Sequence, residues 1–288
     1  MKLMSNVCLR AIIVMIKKVD KMLFIYGTVY NNANRIQECL ESIKNINYSQ
    51  IFIIDNNSTD GTYEFLEDNK NKYKLTLRRL KCNRGVGRQR SMEMAMKVSS
   101  AEDYLMTMDF DTVYDVSFVD FVNEIIKKQY KNCVFNNYLC LKDANSIPWK
   151  PVNNGEDWER NANFIYHGYT LFDKKIVGIN EEVIGSRDKR YAKGLKLYYR
   201  IFKNAIELQR TWCFKSFEEN YEFANKQSKL KNRRKMILFA SYIIAKMQKS
   251  YCYNEFLNNN SYVKEHKINI DSKEDVEKYI LNRGEKNE

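Results

Sequence analysis

Histidine and proline are scarce in this 288-residue chain, with two of each. The two histidines, His167 and His266, lie far apart, which argues against a His/Cys zinc centre. Both prolines, Pro148 and Pro151, fall in a single loop around Trp149. The seven cysteines (Cys8, Cys39, Cys82, Cys133, Cys140, Cys213, Cys252) are odd in number and form no CxxC pair. That pattern argues against a disulfide framework and for reduced thiols used as small hydrophobes, as in a cytoplasmic protein. No apolar run reaches the ~18–20 residues that span a bilayer. The nearest approach, Val7–Ile16, is broken by Arg10 and followed by no small-residue cleavage site, so a secretory signal is not expected. Residues 1–21 read either as an extension upstream of Met22 or as a membrane-touching helix. There is no internal repeat and no long glycine or serine linker.

Hydrophobic content is 44% and charged content 29%, which is globular rather than disordered. The net charge of +12 is concentrated in one place: residues 187–249 hold 17 Lys/Arg against 5 Asp/Glu, so the rest of the chain sums to zero. Three domains are expected: an N-terminal extension (1–21), an α/β catalytic domain (22–186) and a basic helical C-terminal region (187–288). The basic segment, densest at Lys229–Lys235, allows three readings. It could be a helical lid with a solvated face, a surface that docks on an anionic membrane, or a nucleic-acid site.

Strand and helix patterns alternate through the first half. Leu23–Tyr26 and Ile51–Ile54 read as buried strands, as do the alternating Leu75, Leu77 and Leu80 and the run Tyr104–Met108. Between them, helical spacing predicts helices over 34–46, from Tyr63, and over Val86–Val98. This order predicts a doubly wound, mostly parallel sheet whose ligands bind at the carboxyl ends of the strands. Three polar clusters fall at those ends: Thr28–Asn32, Asp55–Thr62 and Asp109–Asp111. A carboxylate pair at i and i+2 after a strand can grip a hard divalent cation that completes its shell with water and phosphate. Asp55–Thr62 could also be no more than a capped turn, and an Asp-x-Asp can be an ordinary acidic loop. Further on, Phe118–Ile126 reads as a helix, Cys133–Leu141 as a strand, and everything after Arg187 as helical.

Five stretches, TVYNN (Thr28–Asn32), IIDNNSTDGT (Ile53–Thr62), NRGVGRQRS (Asn83–Ser91), MDFD (Met108–Asp111) and GEDWE (Gly155–Glu159), make residues 22 to about 175 resemble a family 2 glycosyltransferase of GT-A fold. The resemblance implies an inverting transfer of one sugar from a nucleoside-diphosphate sugar, a UDP-sugar by default, to an acceptor hydroxyl or phosphate. The acceptor, whether glycan, glycolipid or protein, is not readable. By the same resemblance Thr28 and Tyr30 line the nucleotide pocket, Asp55 and Asn56 read base and ribose, and Arg84 and Arg90 face phosphate. Asp111 would touch Mg2+ or Mn2+, with Asp109 on the ribose or in the metal's shell. Asp157 would be the base that deprotonates the acceptor, with Glu156 second. Arg88 reads as solvated. Trp149 and Trp158 are either sugar platforms or packing, and His167 stays outside the site. The chain departs from the family where its third motif ends in Arg90-Ser91-Met92-Glu93, which puts close glycine packing in doubt. Leu208-Gln209-Arg210-Thr211-Trp212 mis-spaces the processive QxxRW element, so single transfer is expected. The competing class is a non-catalytic module that binds membrane or nucleic acid through its basic region.

Overall fold

Apolar runs become parallel strands at the centre of the molecule because they can be covered on both faces. The structure is a computed structural model that describes residues 21–128, 130–175, 194–227 and 232–284. Val7–Ile16 therefore lies outside the described residues, as do the first three residues of Lys229–Lys235. The first half runs β1 (Leu23–Val29), α1 (Ile36–Ser42), β2 (Gln50–Asp55), α2 (Thr62–Asp68), β3 (Leu75–Arg79), α3 (Arg84–Val98), β4 (Tyr104–Thr107) and α4 (Val116–Ile126). It continues with β5 (Cys133–Val134), β6 (Cys140–Leu141), α5 (Lys142–Asn145), α6 (Glu156–Tyr166) and β7 (Thr170–Lys174). The C-terminal part holds α7 (Leu195–Trp212), α8 (Phe217–Gln227), α9 (Asn232–Lys246), α10 (Asn259–His266), β8 (Ile268–Ile270) and α11 (Lys273–Gly284).

The main sheet has the order β3-β2-β1-β4-β6. Its first four strands are parallel, and β6 is antiparallel to β4. The register sets Val29 beside Asp55 and Asp55 beside Arg79, so the carboxyl ends of β1, β2 and β3 finish on one rim. A second, parallel sheet, β5-β7-β8, stands beside the first. This is the mostly parallel α/β architecture that the alternation predicts.

Three details differ from the sequence reading. Helix α1 is shorter than 34–46, yet Ile43 and Ile46 are still buried because the chain continues in tight turns, with Ile46 N donating to Ile43 O at 2.9 Å. The expected strand Cys133–Leu141 is broken at Asn136–Tyr138, where Asn137 and Tyr138 take left-handed φ of 56° and 54°. Its two ends join different sheets. β8, only three residues long, is too short to show a pattern, yet it pairs with β7, and Ile270 and Val276 return to the main core. No helix among the described residues is long and apolar enough to cross a membrane.

Candidate active site

The rim is closed by side chains of the sequence Asn31-Asn32. Asn31, at φ 46°, donates its backbone N–H to Ser58 Oγ (2.9 Å) and accepts from Thr59 N (2.9 Å) at its amide oxygen. Asn32 N donates to Thr62 Oγ1 at 2.7 Å, and its side-chain amide donates to Phe110 O. Three loops far apart in sequence are thereby tied together: the ends of β1 and β2 and the Asp109–Asp111 turn after β4.

Asp55 is buried. Its Oδ1 accepts from Ser58 N (3.0 Å) and from Arg79 Nε (3.4 Å), while Oδ2 is buried with no hydrogen-bond partner. An unfilled buried acceptor is costly unless a donor arrives. Arg79 also lies over the Tyr63 ring at 4.1 Å. Asn56 Oδ1 accepts from Cys82 N at 2.8 Å, so this side chain pins the loop leading into α3. Thr28 gives its hydroxyl to Ile54 O (2.9 Å), and Tyr30 is half-buried at the rim.

Asn83 caps α3 by accepting from Val86 N at 2.8 Å. The helix then sits close to its neighbours: a Cβ on Gly85 would lie 1.8 Å from Lys150 O, and one on Gly87 would lie 2.6 Å from Thr28 Oγ1. Close glycine packing is therefore present, supplied one turn before Ser91 rather than at the end of the motif.

Residues 84 and 88 share one face of α3, and both arginines reach one oxygen of Glu156, Arg84 at 3.2 Å and Arg88 at 3.1 Å. Arg88 also meets Asp109 Oδ1 at 2.5 Å and lies over Trp149 at 4.8 Å. It is buried, which corrects the solvated reading: the acid partners stand on two distant elements that no local pattern links to it. Burial alone would lower its pKa, but Asp109 and then Glu156 outweigh that and raise it, so the guanidinium stays charged. Arg90 lies about 200° around the helix from Arg88. It is exposed and pairs with Glu93 at 2.8 Å, so the structure does not bring it to this cluster.

At the start of α6 the two acids separate. Glu156 is fully buried, and burial raises its pKa against the pull of Arg84 and Arg88. It does not line the cavity described below and is shared by two arginines, which sets it as their buried anchor. Asp157 is exposed instead and is among the residues lining a cavity of about 320 Å³. Arg88, Asp109 and Trp158 line the same cavity, together with Asn136 and Asn137 from the break after β5, Asp173 of β7 and Lys267 just before β8. Tyr138 OH holds the Asp157 backbone carbonyl at 2.8 Å. The turn before α6 is made by Gly155 at φ 78°, where a Cβ would also lie 2.1 Å from Thr211 Oγ1.

Asp111 follows the buried Phe110 and is half-buried. Burial first, and then the Asp111 carboxylate, pushes the Cys39 thiol upward. Among the described residues no group of three or more His, Cys, Asp or Glu could hold a metal. Asp109, exposed and engaged by Arg88, and Asp111, half-buried, stand two residues apart on the turn after β4. Trp149 is buried against Arg160 (4.2 Å) and serves packing, whereas Trp158 lines the cavity and meets Trp212 edge-on at 5.3 Å. His167 holds Asn163 O at 2.9 Å and does not line the cavity.

The sequence reading missed Arg79, Asn136, Asn137, Asp173 and Lys267. The first was reachable, since the parallel register sets the end of β3 beside Asp55. The others come from β7 and from the segments beside β5 and β8, and carry no motif.

The sequence model of glycosyl transferase family 2 matches residues 26–202. Two poly-beta-1,6-N-acetyl-D-glucosamine synthases of Staphylococcus epidermidis are 32% and 31% identical to this chain over 104 residues. Each match spans 35% of this chain and 24% of the length of the relative. Among solved structures, S. aureus TarS 1-349 aligns at a TM-score of 0.46 and 13% identity, covering 78% of this chain and 80% of that one. The same protein in complex with UDP-GlcNAc aligns at 0.46 and 14%.

Proposed function

Given that the chain belongs to glycosyl transferase family 2, we propose that it is a glycosyltransferase that moves one sugar from a UDP-sugar to an acceptor hydroxyl, with inversion and with help from Mg2+ or Mn2+. The observation that carries this reading is the meeting of Asp109, Arg88 and Asp157 around one cavity, next to the rim where the parallel strands end.

In this reading the donor's nucleotide lies along the loops after β1 and β2. Asp55 orders the loop after β2 through Ser58 N and Arg79, Asn56 and Thr28 hold the shape of the pocket, and Tyr30 flanks it. The diphosphate comes to the turn after β4, where Asp109 and Asp111 would hold the cation. When bound, the cation neutralises charge that develops on the leaving diphosphate. Arg84 and Arg88 add fixed positive charge nearby. Asp157, open to the cavity, removes the proton of the acceptor hydroxyl as its oxygen attacks the anomeric carbon from the face opposite the diphosphate.

The relatives' printed names make UDP-N-acetylglucosamine the first donor to try. The test is a thermal-shift panel of nucleoside diphosphates and UDP-sugars, with and without Mn2+. Ligand at about 100 times its Kd adds about 2.7 kcal/mol of stability. A Mn2+-dependent shift with a uridine nucleotide supports the reading. A shift with no nucleotide at all would remove it.

A further inference from the structure

Helix α9 is apolar on two sides. Leu238, Ser241 and Ala245 are buried, and Ser241 Oγ lies 3.3 Å from Phe202 O of α7. A second row, Met236, Phe239, Ile243 and Met247, recurs at i, i+3, i+7 and i+11 and points outward, 46–82% exposed. Single exposed apolar residues are ordinary on any surface, but a continuous row along a helix is not.

The charge on α9 and on the outward face of α7 has one sign, while the neighbouring α8, whose Phe217 meets Phe239 edge-on at 5.1 Å, carries Glu218, Glu219 and Glu222. No acidic residue occurs between Asn232 and Lys246. The sole acid of α7, Glu207, is turned inward, where it accepts from Asn153 N at 2.8 Å. The two helices run in parallel: Ser241 meets Phe202 and Lys249 meets Arg210 at the same separation of 39 residues. The first half of α7 exposes Tyr198 and Tyr199 beside Lys196 and Lys203.

A solvated basic face does not explain an exposed row of Met, Phe and Ile. A second copy of the chain would bring cations against cations. A nucleic acid would use the charge and leave the aliphatic side chains wet. An anionic bilayer surface rewards both features, since apolar side chains enter the headgroup boundary while lysines meet anionic lipid. We propose that α9, with the first half of α7, docks this protein on an anionic lipid surface. The inference is independent of the catalytic assignment.

The test floats the full chain with vesicles of phosphatidylcholine alone, or of phosphatidylcholine mixed with phosphatidylglycerol. Wild type should float with the mixed vesicles, less so as salt rises, and not with the neutral ones. The triple variant Met236→Glu, Ile243→Glu, Met247→Glu should keep its thermal midpoint and bind the mixed vesicles at least about tenfold more weakly. If the triple variant loses its fold, Met236→Glu and Met247→Glu, at the two most exposed positions of the row, should each weaken binding on their own. Equal flotation with neutral vesicles, unchanged binding by a folded variant, or no flotation at all would overturn the proposal. So would a lipid-free dimer that the substitutions dissolve, or retention on a single-stranded oligonucleotide that vesicles do not displace.

Discussion

Arg88 places its guanidinium 2.5 Å from Asp109 and 3.1 Å from Glu156, so one buried cation joins the acidic turn after β4 to the start of α6. Removing one partner of a buried ion pair costs about 3–5 kcal/mol when the other charge is left stranded; here Glu156 keeps Arg84 at 3.2 Å and Asp109 is exposed, so the cost falls at the low end of that range. Arg88→Met should therefore lower unfolding free energy by about 3 kcal/mol in urea melts, while exposed Arg90→Met should change it by less than about 0.5 kcal/mol. Equal losses from the two would contradict the burial of Arg88.

Asp111→Asn keeps the size of a half-buried side chain and should leave thermal stability unchanged. It should abolish the increment that Mn2+ adds to nucleotide binding, read by calorimetry, along with metal-dependent sugar transfer. Transfer at wild-type rates would take Asp111 out of the metal site.

Asp157 and Glu156 are neighbours with opposite expected phenotypes. Asp157→Asn should leave the nucleotide-induced thermal shift near wild type and cut turnover by about 10²–10⁴-fold. Glu156→Gln should destabilise the protein, because Arg84 and Arg88 lose their shared carboxylate. An Asp157 variant that fails to bind nucleotide would point to a role in the donor pocket instead.

Burial raises the pKa of Glu159, against the effects of the Tyr253 hydroxyl and Lys150. A carboxyl raised on folding binds its proton more tightly in the native state. Its stabilising contribution is complete below the unfolded value of 4.5 and is lost as pH climbs through the raised folded value. Glu159→Gln should therefore flatten the fall in urea midpoint as pH rises from 4.5 toward neutrality. A steeper fall in the variant would mean that Glu159 is stabilised as its anion.

The sheet and its rim were legible because buried parallel strands write themselves as unbroken apolar runs, and turn-forming polar residues mark where each run ends. The exposed Asp109 and the half-buried Asp111 stand just past the end of such a run, whereas Asp157 stands in the first turn of α6 after Gly155. Arg88 was not legible. Its helix carries three arginines within seven residues, and only the distant positions of Asp109 and Glu156 decide which of them turns inward. The cavity's far wall was equally hidden, because Asp173 and Lys267 meet at 2.6 Å across 94 residues, with β7 and β8 bringing them together.

Gly155 turns in a left-handed bend with Thr211 against it, leaving no room for even a methyl group. A fragment ending before Leu195 would retain every recognisable motif and still lack the wall that keeps this bend in place. The bend that presents Asp157 is thus walled by a residue of α7 that lies outside all five motifs.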